Sequence, residues 1–236
     1  MISENMLVAR SENELEYALK SLDVSVPKRS NGRKKEHTER YAIAYMLSTL
    51  LGKGVLSFPL ELLQRERPDF LLNTNSGKIG IEHTEAVSEN EAHKSVLRDQ
   101  IDGAKVHFIS RHLPGEPKKS AKKLIEEIKK DRAGPPWVGD SVEREWSDAM
   151  LHFINVKVAA FAKDGFEQFD QNWLLIYDNW SLPALEREKA FSMLFQKALT
   201  SKCFESFDDV FILSGAQVCR LSPEIYISYE INDLWE

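Results

Sequence analysis

Two acidic residues, Asp69 and Glu82, stand on either side of a predicted β-hairpin turn. The sequence Asn75-Ser76-Gly77 between them favours a tight turn, and the residues before and after it have the composition of β-strands. If Thr74 pairs with Gly77, the numbers of paired residues sum to 151. Asp69 and Glu82 satisfy that sum, so their side chains should share one face, with Cβ atoms about 5 Å apart.

Two carboxylates at that separation repel each other, and the folded chain needs a cation to offset the repulsion. A hard divalent ion such as Mg²⁺ or Mn²⁺ supplies that charge and is bound by carboxylate oxygens and water. Thr84 lies on the same face as Glu82, because side chains two apart on a strand point the same way. The hairpin therefore predicts a divalent metal site at Asp69 and Glu82.

The elements that must position this pair have an α/β pattern. An apolar run at 172–177 is typical of a strand covered on both faces. Serine followed three residues later by glutamate, at Ser11 and at Ser88, predicts a capped helix start. Helices are expected at about 11–22, 36–51, 88–112, 118–132, 142–162 and 185–200, and further strands at 209–214, 217–221 and 224–229. This order predicts a mixed central sheet flanked by helices.

The length of 236 residues suits one domain with a sizeable core. We expect an N-terminal helix and basic arm over 1–35 and a core carrying the acidic pair over 36–112. A helical insertion should follow over 113–165, with the last strands and helix in 166–236. Division into two domains is the alternative.

Charge is distributed unevenly along the chain. The formal net charge is −6, yet residues 28–132 have a balance of +6 and residues 164–236 a balance of −8. Two basic stretches, 28–35 and 118–132, suit contacts with a phosphate backbone, which supply affinity rather than base specificity. The alternative is that they are ordinary solvated surface.

Several classes of protein are disfavoured by the sequence. No apolar run is long enough to predict a membrane span, and the N-terminal residues lack the pattern of a secretion signal. The two cysteines, Cys203 and Cys219, make neither a disulfide scaffold nor a four-ligand zinc site and fit a reducing cytoplasm. Glycine-rich nucleotide-binding motifs are absent.

The order Pro68-Asp69, twelve residues, then Glu82-His83-Thr84 resembles the motif of the PD-(D/E)xK nuclease superfamily. The resemblance implies a restriction-endonuclease-like fold in which Asp69 and Glu82 bind Mg²⁺. The main-chain carbonyl of His83 would be a further ligand. A glutamate from the preceding helix often joins the site in this superfamily, and Glu39 is the candidate because it shares a stripe with Ile43 and Met46.

One residue departs from the superfamily pattern. The motif lysine, which orients the attacking water and offsets phosphate charge, is replaced by Thr84. Some members supply the lysine from a neighbouring element. In the predicted helix 88–112 the candidate is Lys94, on a stripe with Leu97, Ile101, Ala104 and Phe108.

The resemblance implies a metal-dependent nuclease, acting on DNA rather than RNA, in restriction, anti-phage defence or repair. Two other functions remain open at this point. The chain could be an inactive nuclease-fold module that binds nucleic acid or a partner protein, including a second copy of itself. It could also be a subunit that docks through its acidic C-terminal third. In the plainest alternative, Asp69 caps a turn and Glu82 lies on a solvated hairpin face.

Overall fold

A computed structural model describes residues 4–101, 106–163 and 167–236. It has an α/β fold built on one eight-stranded sheet, in which the spatial order of the strands follows the chain. The strands are β1 (Glu4–Ala9), β2 (Leu60–Gln64), β3 (Phe70–Thr74), β4 (Gly77–Ala86), β5 (Gln171–Asp178), β6 (Asp209–Ser214), β7 (Gln217–Leu221) and β8 (Tyr226–Glu230).

Seven α-helices lie within the described residues. They are α1 (Glu12–Lys20), α2 (Lys35–Leu50), α3 (Glu89–Ile101), α4 (Ala121–Lys130), α5 (Ser141–Phe161), α6 (Arg187–Thr200) and α7 (Cys203–Ser206). A short 3₁₀ helix, Arg29–Asn31, precedes α2. None of these helices combines the length and the apolar character that crossing a membrane requires.

The sheet is mixed, as the sequence predicted. Strands β4, β5 and β6 are parallel, and every other neighbouring pair is antiparallel. Parallel neighbours need a crossover, which α3, α4 and α5 provide between β4 and β5, and α6 and α7 provide between β5 and β6.

The hairpin has the predicted register. Pairing runs from Thr74 with Gly77 to Phe70 with Ile81, so paired numbers sum to 151. Asp69 lies one residue before β3, at the position opposite Glu82. Strand β4 continues beyond this pairing to Ala86 and forms its other ladder with β5. The acidic pair therefore lies just beyond the last pairing of β3 with β4, where β4 continues alongside β5.

Helices cover both faces of the sheet. On one face α1 and α2 pack their apolar side chains against the odd-numbered residues of β4 and β5, including Ile81 and Trp173. On the other face α5 and α6 pack against even-numbered residues such as Leu174 and Ile176. The prediction of a strand covered on both faces is confirmed for β5.

The predicted extent of α3 is wrong. The helix ends at Ile101 rather than near residue 112, and residues 106–112 are not helical. An amphipathic helix is stabilised mainly by burying its apolar face, but Val106 and Phe108 are largely exposed here. The segment is instead tied down by polar contacts, because His112 lies between carboxylates of α3 and the following loop. Ala104 of the predicted stripe lies outside the described residues.

Strands β1 and β2 were not predicted. The β2 sequence Leu-Glu-Leu-Leu-Gln has a composition that also suits a helix, and pairing with both β1 and β3 makes it a strand. This strand matters for the site because it ends at Gln64, next to Glu39 of α2.

We expect Ile81→Ala in β4 to lower the free energy of unfolding by about 2–5 kcal/mol, because a fully buried side chain between the sheet and α2 would leave a cavity. Urea denaturation measures the loss. The matched control is Ile227→Ala in the edge strand β8, where the side chain is 36% exposed and the expected loss is below about 1 kcal/mol. Equal losses at the two positions would contradict the packing described above.

Candidate active site

Three carboxylates from three elements converge at the start of β3. Asp69 lies just before β3, Glu82 lies on β4 and Glu39 lies on α2. All three are buried, at 3%, 8% and 4% exposure. Buried carboxylates are rare in proteins unless they are paired or bound to a metal, so the source of the compensating charge is the main question about this site.

Lys35 supplies one positive charge. Its Nζ atom lies 2.5 Å from Asp69 Oδ1 and 2.6 Å from Glu39 Oε1, so one ammonium group bridges the two carboxylates. Lys35 and Glu39 are four residues apart on α2 and therefore share a helix face. The Lys35 side chain is 65% exposed although both of its partners are buried. It reaches into the site from solvent.

Lys157 supplies a second charge from the opposite helical layer. This residue lies on α5, and its Nζ atom is 2.8 Å from Glu82 Oε2 and 3.8 Å from Asp69 Oδ2. Asp69 and Glu82 thus meet at a common cation, as their opposed positions in the hairpin require. The Lys157 side chain is only 20% exposed, so it is more enclosed than that of Lys35.

Two neutral donors fix the orientation of the acids. The main-chain N–H of His83 donates to Asp69 Oδ2 at 2.7 Å, and the Gln64 side-chain amide donates to Glu39 Oε2 at 3.1 Å. Hydrogen bonds to an ionised carboxylate are stronger than those between neutral groups. These contacts leave Glu39 Oε1, which is buried, with the ammonium of Lys35 as its neighbour and no hydrogen bond of good geometry.

The acids differ in their protonation equilibria. Burial raises the pKa of Glu82 and of Glu39, and the nearby lysines only partly oppose this. Burial also acts to raise the pKa of Asp69, but Lys157, Lys35 and the His83 N–H outweigh it and hold the pKa below its usual value. Asp69 is consequently the most firmly ionised of the three and is the centre of the cluster.

His83 and Thr84 follow Glu82 on β4. Burial lowers the pKa of His83 to about 3, so its imidazole is neutral at physiological pH. The sequence predicted a metal contact through the His83 carbonyl, and the structure adds that the N–H of the same residue binds Asp69. Thr84 pairs with Ile176 of β5 and lines a cavity beside the carboxylates.

The structure does not bring Lys94 to the carboxylates. Its ammonium group lies 2.8 Å from Glu127 Oε2 of α4 and donates to Ser110, and its side chain is buried between those elements. The expectation assumed that this stripe of α3 faces the site, whereas α3 packs against α4 and the 3₁₀ helix Arg29–Asn31. Lys94 joins α3 to α4, and the lysine beside the acidic pair is Lys157.

The positions of Lys157 and Lys35 in the sequence indicate buried or paired lysines, although neither residue belongs to the motif. Lys157 continues the apolar stripe of α5, three residues after the buried Ile154 and seven after Met150. A lysine on a buried stripe needs an acidic partner. Lys35 is four residues before Glu39 and so shares its helix face. The spacing of Lys35 indicates Glu39 as a partner, but the stripe of α5 does not indicate the partner of Lys157, because Glu82 is 75 residues away.

The donor set suits a hard divalent cation. Each ammonium lies where two carboxylates meet, and Mg²⁺ is commonly bound by one or two carboxylates together with several waters. Among the described residues, no three His, Cys, Asp or Glu side chains are arranged as they stand to hold a metal ion. Lys35 lies between Asp69 and Glu39, and Lys157 lies between Glu82 and Asp69. Withdrawal of the exposed Lys35 would give Asp69 and Glu39 a shared vacancy.

The two predicted basic stretches have different surroundings. In the first, Arg29 and Arg33 contact Glu85 of β4, and Lys35 reaches the acids themselves. In the second, Lys119 pairs with Glu127 within the same stretch. Only the first stretch borders the carboxylates.

Comparison with known proteins returned no match to a family model, a curated protein or a solved structure.

We expect Lys157→Met to lower stability by about 1–3 kcal/mol at pH 8 and by less at pH 5. Without the ammonium, the pKa values of Glu82 and Asp69 rise in the folded state, which then holds protons that the unfolded chain releases. The variant therefore loses stability as pH rises, relative to the wild type. Urea denaturation at both pH values measures this. The control is Lys189→Met, an exposed position on α6, and a pH-independent loss at Lys157 would contradict the assigned pairing.

Proposed function

We propose that this protein is a metal-dependent nuclease that hydrolyses phosphodiester bonds in nucleic acid, with DNA as the preferred substrate. The observation that carries the proposal is the buried pair Asp69 and Glu82, opposed across the β3–β4 hairpin and sharing the Lys157 ammonium. A folded protein tolerates such an arrangement when the site binds cations, and the pair occupies the positions of the PD-(D/E)xK motif.

The order of elements also supports a restriction-endonuclease-like fold. In the superfamily a helix leads into an antiparallel hairpin, and a second helix returns the chain to a parallel strand. Here α2 leads into β2, β3 and β4, and α3 begins the crossover to β5, which is parallel to β4. Glu39 on α2 has the place that the first helix gives to its glutamate.

Asp69, Glu82 and Glu39 would hold Mg²⁺ or Mn²⁺, with water completing the coordination shell. When bound, the metal would lower the pKa of a coordinated water and neutralise charge on the phosphate. Lys157 would stabilise the negative charge that develops on the phosphate oxygens, which is the role of the lysine missing at Thr84. The His83 N–H keeps Asp69 oriented throughout.

An inactive binding module is the second candidate, and one observation favours it. Lys35 and Lys157 already compensate the carboxylates, so the folded chain does not depend on a metal for charge balance. A site that had lost activity would be stabilised in this way. Metal-dependent cleavage separates the two candidates.

We expect plasmid DNA and oligonucleotides to be cleaved in Mg²⁺ or Mn²⁺ and to remain intact in EDTA. Asp69→Asn and Glu82→Gln should each lower the rate by at least about 100-fold, since each removes a proposed metal ligand. The control is Glu61→Gln on β2, where the carboxylate binds Asn5 and Asn73 instead. Cleavage that survives both site substitutions would show that it does not depend on this site. Binding of DNA without cleavage, in Mg²⁺ and in Mn²⁺, would favour the inactive module.

We also expect Lys35→Met to bind Mn²⁺ at least about tenfold more tightly than the wild type. The substitution removes a unit positive charge that competes for Asp69 and Glu39, which is worth several kcal/mol at about 4 Å in a partly screened site. Titration followed by electron paramagnetic resonance measures free Mn²⁺ directly. Lys53→Met, in the exposed turn after α2, should leave the affinity unchanged. An unchanged affinity in Lys35→Met would show that Mn²⁺ does not bind at these acids.

A further inference from the structure

A cationic cavity of about 330 Å³ lies beside the three carboxylates. Five of its lining side chains carry positive charge: Arg29, Arg33, Lys34, Lys35 and Lys157. Glu85 is the one carboxylate among the residues that line it. Because Lys35 and Lys157 also contact the acids, the cavity and the proposed metal site share a wall.

Two buried nitrogen atoms on this wall have no hydrogen-bond partner among the described residues. One is Nε of Arg33 and the other is Nε2 of His83, whose residue is only 2% exposed. Nε of arginine always carries a hydrogen and can only donate, and a neutral imidazole can donate from Nε2 in one of its tautomers. Buried donors are almost always satisfied in folded proteins, so an unpaired one calls for an acceptor such as water or a ligand oxygen.

The guanidinium groups are held in place before any ligand arrives. Glu85 Oε1 accepts from Arg33 at 2.9 Å and also from Arg29, and the Asn179 side-chain amide donates to the same oxygen at 2.6 Å. These bonds use the terminal nitrogen of Arg33 and leave its Nε–H free. A donor fixed in this way loses little entropy when it binds an anion.

The threonine at the motif position also belongs to this cavity. Thr84 lines it with a short side chain and a hydroxyl group, at the place where the superfamily has a lysine. The exchange leaves space beside the acids and adds a further hydrogen-bonding group. Lys34, at the exposed rim, adds charge without being held by the fold.

We propose that this cavity binds a phosphate group of the nucleic acid next to the scissile one, through Arg33 Nε–H, His83 Nε2–H and the Thr84 hydroxyl, with Lys34 at the rim. The inference rests on the proposed function, since the phosphate would belong to the nucleic acid substrate. The backbone of that substrate would run along residues 29–35. A phosphate matches an array of donors and cations better than a carboxylate does, since it offers more acceptor oxygens. An internal diester and a terminal phosphate have the same chemistry here.

The test measures the anisotropy of fluorescein-labelled DNA oligonucleotides, with and without a 5′-phosphate, in Ca²⁺ and over a series of salt concentrations. Arg33→Ala should weaken binding about tenfold, the effect of losing one charge-assisted hydrogen bond. It should also lower the slope of log affinity against log salt by about 1, as expected for one phosphate contact. Lys34→Ala, at an exposed position, should show a smaller loss in the same direction. The control is Arg144→Ala, an exposed arginine of α5 paired with Asp140.

The outcomes separate this inference from the nuclease proposal. Wild-type affinity and salt slope in both Arg33→Ala and Lys34→Ala would overturn the phosphate site, even if the wild type cleaves DNA. Loss of binding in these variants would support the phosphate site, even if the wild type cleaves nothing in any metal. Failure of the wild type to bind nucleic acid would overturn it outright. If Arg33→Ala fails to fold, Lys34→Ala decides the matter. A preference for the 5′-phosphate, lost in the variants, would identify a terminal phosphate, and its absence an internal one.

Discussion

Compensation of buried negative charge is the constraint on which the site depends. Three carboxylates are packed at one end of the β3–β4 hairpin, and desolvation penalises each of them. Two ammonium groups offset this desolvation penalty, one from each helical layer: Lys35 from α2 and Lys157 from α5. The acids can be buried together only when the sheet is enclosed on both faces, so formation of the site and completion of the fold are coupled.

The two lysines are not equivalent. Lys157 is largely enclosed and bound to Glu82, whereas Lys35 is mostly exposed and bridges Asp69 and Glu39. A charge that can move into solvent is exchangeable, and one packed between α5 and the sheet is not. The site therefore combines one enclosed cation with one exposed cation. That asymmetry is a property of the structure, whichever ligand occupies the site.

An acidic protein can present a cationic surface when its basic side chains are clustered in one place. Although the net charge is −6, Arg29, Arg33 and Lys34 gather beside the carboxylates and line one cavity with both site lysines. A polyanion responds to this local field rather than to the sum over the molecule. The stretch 118–132 is also basic in sequence, but part of its charge is paired within the stretch, as Lys119 and Glu127 show.

Local sequence was enough to determine the hairpin. The turn at 75–77 and the alternation of β4 set the register, because both act over a few residues, and the register places Asp69 opposite Glu82. Periodicity likewise placed Glu39 on the inward face of α2, where the structure has it. It predicted the two-sided burial of β5 as well, because an apolar run has no other stable environment.

Contacts between distant segments decided the rest. Strand β2 exists because two neighbours pair with it, and residues 106–112 are not helical and leave Val106 and Phe108 largely exposed. The lysine beside the acidic pair was misassigned for the same reason: local spacing pointed to Lys94, while the packing of α5 brings Lys157 across 75 residues of sequence. Residue spacing reports neighbours along one helix or strand, and it carries no information on which layer will cover them.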